Sequence, residues 1–171
     1  NAFDNPRTGR LFVFKDRNER IDSEFGGSWE RDFGKARFEV TALQTGSDVE
    51  FSSRFDDGTD SALFTEEAEK GESIVRGALR YTFNPNLIVE GGAEGAFNFL
   101  DTSTAYEENG VPVVLPQASV RVEEERGEAF LTANWRWNPK FAIEGGLKVE
   151  ASTISQSGAT NLSKEFTYYK P

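Results

Sequence analysis

Two groups of carboxylates are the residues whose spacing could support chemistry. Asp56–Asp60 is a run of the kind that hard cations favour, and Glu67 falls at position 12 of a loop that starts with that run. Position 3 is Gly58 and position 6 is Ser61, so the spacing of an EF-hand loop is not met and a solvated turn is the better interpretation. The second group, Glu123–Glu125, consists of adjacent side chains that rarely reach the perturbed pKa values of acid–base catalysis. We interpret both groups as solvated.

The absence of two residue types excludes most catalytic classes. The chain contains no cysteine and no histidine, which removes disulfides, thiol nucleophiles, Ser-His-Asp catalysis and most transition-metal sites. A formal net charge of −10 argues against nucleic acid as a partner, because phosphate binding needs clustered lysine and arginine. A carbohydrate-active enzyme would need two carboxylates about 5 to 10 Å apart, and the sequence identifies no such pair. We therefore expect no enzyme activity, no cofactor and no metal.

A repeated phrase indicates how the chain is organised. Arg80–Gly92 is echoed by Arg136–Gly146, and the Asn-Pro pair at its centre recurs 54 positions later. Proline fixes φ and asparagine tolerates turn geometry. Each copy therefore predicts a strand, a tight turn and a second strand, and a similar pattern around Phe33-Gly34 predicts a third hairpin.

Alternation of apolar and polar residues is the dominant period in these hairpins, and it predicts strands with two different faces. One set of alternate positions is polar and is expected to line a lumen: Arg76, Arg80, Glu90, Glu94, Asn134, Arg136, Glu144 and Lys148. The other set is apolar and is expected to face lipid: Leu79, Val89, Ala129, Leu131, Ala133, Phe141, Ile143, Leu147 and Val149. Phe130 is an exception to the alternation, since it falls on the polar side.

The aromatic residues and the connections point to a membrane barrel. Five aromatics lie within a few residues of the short turns, where the interface girdle of a barrel is found: Trp29, Tyr81, Phe83, Trp135 and Trp137. Long polar links are expected at the opposite ends, over residues 56–70, 100–118 and 152–161. Short turns on one side and long loops on the other are typical of outer-membrane barrels.

These patterns predict an all-β fold: an antiparallel up-and-down meander of about nine or ten strands that forms part of a transmembrane β-barrel. The count includes separate short strands at Leu11–Phe14, Val49–Phe55 and Leu162–Tyr168. Residues 1–171 are then one partial barrel domain. The alternative is a soluble β-sandwich with a binding or adhesin-like role, in which a second layer covers the apolar side chains. Several mid-strand glycines weigh against that alternative, because they bury little apolar area.

Four segments together resemble the β-barrel of TonB-dependent outer-membrane receptors: Arg7–Phe12, Glu90–Asn98, Arg126–Phe130 and Ser155–Gly158. The resemblance implies a location in the outer membrane of a Gram-negative bacterium and a barrel of about 22 strands, of which this chain is an internal portion. It also implies a plug domain inside the barrel, energy from the TonB complex, and import of a small nutrient such as an iron–siderophore complex, a vitamin or a saccharide. Membrane lipid would surround the intact protein. The isolated chain would have two unpaired sheet edges, through which we expect it to self-associate.

Overall fold

The computed structural model of the chain describes residues 12–158 and 161–170, which form one antiparallel sheet of eight strands. The strands are β1 (Val13–Phe33), β2 (Ala36–Asp56), β3 (Ser61–Asn84), β4 (Leu87–Glu108), β5 (Val111–Val113), β6 (Ser119–Asn138), β7 (Phe141–Gly158) and β8 (Leu162–Lys170). Their order in the sheet is β1-β2-β3-β4-β6-β7-β8, and the short β5 pairs with the end of β4. The predicted all-β antiparallel meander is confirmed. No helix in the described residues could cross a membrane.

The strands are longer and fewer than the sequence suggested. Six of them contain 18 to 24 residues. Most of the predicted polar links are in fact strand, because β3 begins at Ser61, β4 runs to Glu108 and β7 runs to Gly158. These segments carry polar residues on both faces, so they lack the alternation that marks a half-buried strand, yet their backbone groups pair as regularly as elsewhere.

Three tight turns lie at one end of the sheet, which we call the turn end. They are formed by Gly34-Lys35, Pro85-Asn86 and Pro139-Lys140. In the two Asn-Pro turns the asparagine side chain caps the turn: Asn84 Oδ1 accepts a hydrogen bond of 2.9 Å from the Asn86 amide, and Asn138 Oδ1 accepts one of the same length from Lys140. The three predicted hairpins are therefore present.

The opposite end, which we call the loop end, has a short connection between β2 and β3 and a longer one between β4 and β6. β2 and β3 are joined by Asp57–Asp60, where Asp56 Oδ1 accepts a hydrogen bond of 2.8 Å from the Gly58 amide and Gly58 has a φ of +83°. The carboxylates at this connection thus cap a turn. The expectation of uniformly long links at this end was wrong. Because β2 and β3 both extend further than predicted, only four residues remain to connect them.

Successive hairpins are staggered along the strands. Ala36 at the start of β2 pairs with Tyr81, whereas β3 continues three residues further to Asn84. In the same direction, Leu87 at the start of β4 pairs with Trp135, and β6 continues three residues further to Asn138. A constant stagger of this kind tilts the strands relative to the line of turns, as a barrel requires.

The sheet has no hydrophobic core of the usual kind. Ala96 is the only buried hydrophobic residue among those described, and the two other buried residues are Ser47 and Ser152. The described residues form a single layer, so the second layer of the β-sandwich alternative is not present in this part of the chain. Residues 1–11, which include Leu11 and most of the segment Arg7–Phe12, lie outside the described part.

Both outermost long strands of the described sheet, β1 and β8, have one side without a neighbouring strand. We predict that the isolated chain self-associates, because such edges expose rows of backbone donors and acceptors. Sedimentation velocity of the isolated chain in mild detergent should give dimers or larger species. Covering an edge by adding the adjoining strands of the parent protein should reduce the association, and a stable monomer of the chain alone would contradict the prediction.

Candidate functional site

The strand register determines which of the predicted residues share a face. Leu79, Leu131 and Leu147 lie in one row across the sheet, because Gly91 on β4 pairs with both Leu79 and Leu131, and Leu131 pairs with Leu147. We call their side the outer face and the opposite side the inner face. All nine residues predicted to face lipid lie on the outer face, and all eight predicted to face a lumen lie on the inner face. The medium that each face meets remains a prediction.

The outer face carries a continuous apolar band near the turn end. Leu131 and Leu147 are 55% and 56% exposed, and Phe25, on β1, is 82% exposed. On β6 the band extends from Gly127 to Trp137, which is eleven residues, and beyond it the outer face becomes charged at Glu125. Large contiguous apolar surfaces of this kind mark interaction sites with protein or membrane.

The five predicted interface aromatics lie at the turn-end margin of this band. Tyr81 and Phe83 have ring centroids 4.7 Å apart, and Trp135 and Trp137 have centroids 5.3 Å apart. Trp29 is four residues before the end of β1 and lies 6.1 Å from Phe38 across the β1–β2 pair. Each of the three hairpins therefore carries aromatic rings at a similar distance from its turn.

The inner face at the level of the band is held by ion pairs between neighbouring strands. Glu94 on β4 lies between two arginines: its Oε2 is 3.7 Å from Arg76 Nη1 on β3, and its Oε1 is 3.5 Å from Arg126 Nη2 on β6. Glu128 and Lys148 form a further ion pair between β6 and β7. Glu94 and Glu128 are the least exposed members of these pairs, at 18% and 10% of their side chains.

Phe130, the exception to the alternation, completes this network. The Arg76 guanidinium lies over its ring, 4.6 Å from the centroid, which is a cation–π geometry. The ring can approach Gly92 closely because that residue has no side chain: a β-carbon there would be 2.7 Å from Phe130 Cζ and closer still to the Gly77 carbonyl oxygen. Phe130 therefore lies on the inner face because its ring packs against Gly92 and the Arg76 guanidinium, although an apolar residue at this position interrupts the alternation.

The other predicted inner-face residues make fewer contacts. Asn134 Nδ2 donates a hydrogen bond of 3.4 Å to Glu144 Oε2 across β6 and β7. Arg80 pairs in register with Glu90 and Arg37, but it forms no ion pair with a described residue, and neither do Glu90 and Arg136. Of the eight predicted residues, the structure therefore brings Arg76, Glu94 and Lys148 into ion pairs and joins Asn134 to Glu144 by a hydrogen bond. The remaining three, Arg80, Glu90 and Arg136, form no ion pair with a described residue.

Beyond the apolar band, towards the loop end, the polarity of the two faces reverses. On β2 the apolar residues change from Phe38, Val40 and Ala42 on the outer face to Val49, Phe51 and Phe55 on the inner face, with no break in register. β6 shows the same change, from Leu131 on the outer face to Val122 on the inner face. The outer face in this region carries charged residues: Asp48, Glu50, Glu67, Glu69, Asp101, Arg121 and Glu123. The sequence pattern predicts a separate strand at Val49–Phe55, whereas this segment is part of β2. The apolar residues move there from even-numbered to odd-numbered positions, and this shift indicates a change of face within one continuous strand.

At the level of this reversal the inner face forms a groove of about 750 Å³ that spans β1 to β7. Its polar lining includes Asp22, whose carboxyl has a lowered pKa, first because of the nearby Ser47 hydroxyl and second because of Arg20. The apolar lining comes from Leu100, Val122 and Ile154. No set of three or more histidine, cysteine or carboxylate side chains in the described part of the chain could hold a metal ion.

This sheet is similar in fold to parts of several solved transporter and receptor structures. It superposes on the ferric citrate transporter FecA with a TM-score of 0.52 at 16% identity, and on the ferric yersiniabactin uptake receptor FyuA of Yersinia pestis with a TM-score of 0.55 at 14% identity. The copper transporter OprC gives a TM-score of 0.52 at 10% identity. About nine-tenths of this chain is covered in each case, against 24% of FecA, 24% of FyuA and 33% of OprC.

No protein-family model and no curated protein matches the chain. The structural matches show the fold alone: the chain has the architecture of a segment of these transporter and receptor structures. It spans a quarter to a third of the length of those proteins.

The position of Glu94 between two arginines leads to a prediction. Glu94→Gln removes the charge that both Arg76 and Arg126 approach, and leaves two cations facing one another across β4. We expect a loss of about 1 to 3 kcal/mol in the free energy of unfolding, measured by urea denaturation of the detergent-solubilised protein. Glu90→Gln is the matched control, since Glu90 lies on the same strand and face without an ion pair, and it should change stability by less than about 0.5 kcal/mol. Equal effects of the two substitutions would show that the pairs contribute nothing.

Proposed function

We propose that this chain forms part of the barrel wall of a TonB-dependent receptor in the outer membrane of a Gram-negative bacterium, and that the receptor imports a small nutrient. The observation that carries the proposal is the apolar band on the outer face. A transmembrane β-strand needs about 9 to 11 residues at a tilt of about 45°, and the band on β6 is eleven residues long. With a rise of about 3.3 Å per residue, this tilt gives a band about 25 Å tall, the height found in outer-membrane barrels.

Several other features support a barrel wall over other membrane-associated sheets. The staggered hairpins supply the strand tilt that closure of a barrel requires. The aromatic pairs at Tyr81 and Trp135 would form the interface girdle on the side of the tight turns, which is the periplasmic side in such barrels. The charged segments of the strands beyond the band would then project outside the cell.

The inner face would line the lumen. Its ion pairs, including the pair between Glu128 and Lys148, give a polar wall of the kind that surrounds a water-filled or plugged interior. In the intact receptor the partners would be membrane lipid on the outer face, a plug domain within the barrel and the TonB complex on the periplasmic side. Residues 1–171 would be one portion of the barrel domain, since the described sheet has open edges at β1 and β8. The receptor would not be an enzyme.

The nutrient class is the finer part of the proposal. FecA and FyuA take up ferric complexes and OprC transports copper. These neighbours favour scarce metal nutrients, such as iron–siderophore complexes, as the first class to test. Vitamins and saccharides are the further candidates. The groove on the inner face, beyond the band, would be reached by a solute from outside before the solute reaches the level of the membrane.

The assignment of the outer face to lipid can be tested by charge substitution. In the parent receptor, Leu131→Arg places a cation near the middle of the band and should destabilise the assembled barrel by about 2 to 4 kcal/mol. Thr132→Arg, the neighbouring residue on the inner face, should cost far less because its side chain meets the polar lumen. Folding into lipid vesicles, followed by urea titration and heat-dependent gel mobility, measures both. Equal tolerance at the two sites would reject a lipid-facing band.

The transport role can be tested in the organism that encodes the receptor. Deletion of the gene should abolish growth on at least one limiting nutrient at low concentration, and a strain that lacks TonB should show the same loss, because import depends on energy from the inner membrane. Membrane fractionation should recover the receptor in the outer membrane. Normal uptake of iron complexes, copper, vitamins and saccharides by the deletion strain would contradict the proposed function.

A further inference from the structure

The groove beyond the apolar band has a lining that points to a ligand. Its polar side chains lie in two neighbouring rows across the inner face. The first row contains Glu24, Thr45, Glu72, Asn98 and Glu124, and the second contains Asp22, Ser47 and Lys70. Because the rows cross from β1 to β6, residues far apart in the sequence meet in one concavity of about 750 Å³.

The charges in the groove are unequally paired. Arg20 Nε donates hydrogen bonds of 2.9 and 2.8 Å to the two carboxylate oxygens of Asp22, and Lys70 also favours the ionised form of Asp22. Of the two cations of the groove, Arg20 pairs with Asp22, and Lys70 forms no ion pair with a described carboxylate. In the described part of the chain, Glu24, Glu72 and Glu124 form no ion pair with lysine or arginine.

These three carboxylates are evenly spaced. Glu24 is on β1, Glu72 on β3 and Glu124 on β6, and within the row each is separated from the next by one intervening strand. Neighbouring strands lie about 4.8 Å apart, so the carboxylates recur about every 10 Å along the row. Thr45 and Asn98 occupy the positions between them.

Two polar atoms in the groove lack hydrogen-bond partners. Ser47 is only 5% exposed, and its hydroxyl does not reach hydrogen-bonding geometry with any described group, although it lies close enough to Asp22 to lower the pKa of that carboxyl. Asn98 Nδ2 donates a hydrogen bond of 3.1 Å to Glu124 Oε2, while its buried Oδ1 accepts none. Buried polar groups are costly unless they are paired, so such atoms indicate where donors from a bound molecule would be accepted.

We propose that this groove binds an organic cation that carries two or more ammonium groups about 10 Å apart on an apolar chain. The ammonium groups would donate to Glu72 and to Glu24 or Glu124, and the intervening methylenes would contact Leu100 and Val122. The free acceptors at Asn98 and Ser47 would take the remaining donors. The inference rests on the proposed function, which places the groove in water on the extracellular side of the membrane, and it names the charge and shape of a solute that the receptor recognises.

Titration calorimetry with the full receptor in detergent tests this site at physiological salt. The probe is 1,7-diaminoheptane, whose ammonium groups are about 10 Å apart when the chain is extended; 1-aminoheptane and the dianion of heptanedioic acid are the matched comparisons. We expect the diamine to bind at least about tenfold more tightly than the monoamine, because a second charge-assisted hydrogen bond forms. The dianion should give no measurable binding. Binding of the dianion as tightly as the diamine would overturn the proposal.

Two substitutions locate the binding. Glu72→Gln should weaken diamine binding by about tenfold, and Glu67→Gln, on the outer face of the same strand, should change it less than about twofold, because it alters net charge equally without touching the groove. Glu124→Gln provides a second groove variant, and circular dichroism confirms the strand content of each. Equal diamine affinities for the Glu72 and Glu67 variants would show that the effect depends only on net charge, and would reject the site.

Diamine binding is measured without transport. A receptor that imports its nutrient but does not bind the diamine would therefore refute this inference and leave the proposed function intact.

Discussion

The backbone hydrogen-bond ladder between long strands holds this chain together, since there is almost no apolar interior to do so. Ala96 is the only buried hydrophobic residue in the described part. A single-layer sheet gives every side chain one of two faces, and each face must suit the medium that covers it. The composition of the chain follows from this constraint, because an apolar residue is stabilising only where the surroundings are apolar.

The reversal of polarity along the strands is the clearest consequence. Near the turns, Leu131 and Leu147 are on the outer face with charges opposite them, whereas further along β2 the apolar residues Val49 and Phe51 are on the inner face. The register of β2 with both neighbours is unbroken between these regions, so no bulge accounts for the change. In one uniform medium, nothing would favour moving the apolar residues from one face of the sheet to the other. The proposed membrane boundary would supply a change of medium at a fixed height along the outer face, and such a change would account for the reversal.

Local signals made part of this structure predictable. The turns at Asn84-Pro85 and Asn138-Pro139 were identified because asparagine and proline determine turn geometry within a few residues, and the strands beside them alternate clearly. The full lengths of β3 and β4 were not predicted, since their distal halves are polar on both faces and resemble loops in composition. The distal halves of β3 and β4 continue as strands because they pair with neighbouring strands, and the periodicity of a single segment does not reveal that pairing.

The candidate site was less predictable for a related reason. The assignment of Arg76 and Glu94 to one face followed from alternation, but their pairing depends on the register between β3 and β4. The groove residues Ser47, Glu72 and Asn98 were missed altogether, because they come from three strands and carry no local motif.

The two levels of the inner face differ in how their carboxylates are neutralised, and this difference has a physical meaning. At the level of the band, Glu94 and Glu128 are paired with cations of the wall itself, which stabilises these two charges if the proposed hydrocarbon around the wall lowers the effective dielectric constant. Beyond the band, Glu72 and Glu124 form no ion pair with a described lysine or arginine. The proposed position outside the membrane would put water on both sides of the sheet, where unpaired charge costs little. The same strands therefore combine paired carboxylates at Glu94 and Glu128 with carboxylates at Glu72 and Glu124 that have no cationic partner in the described wall and remain available to a solute.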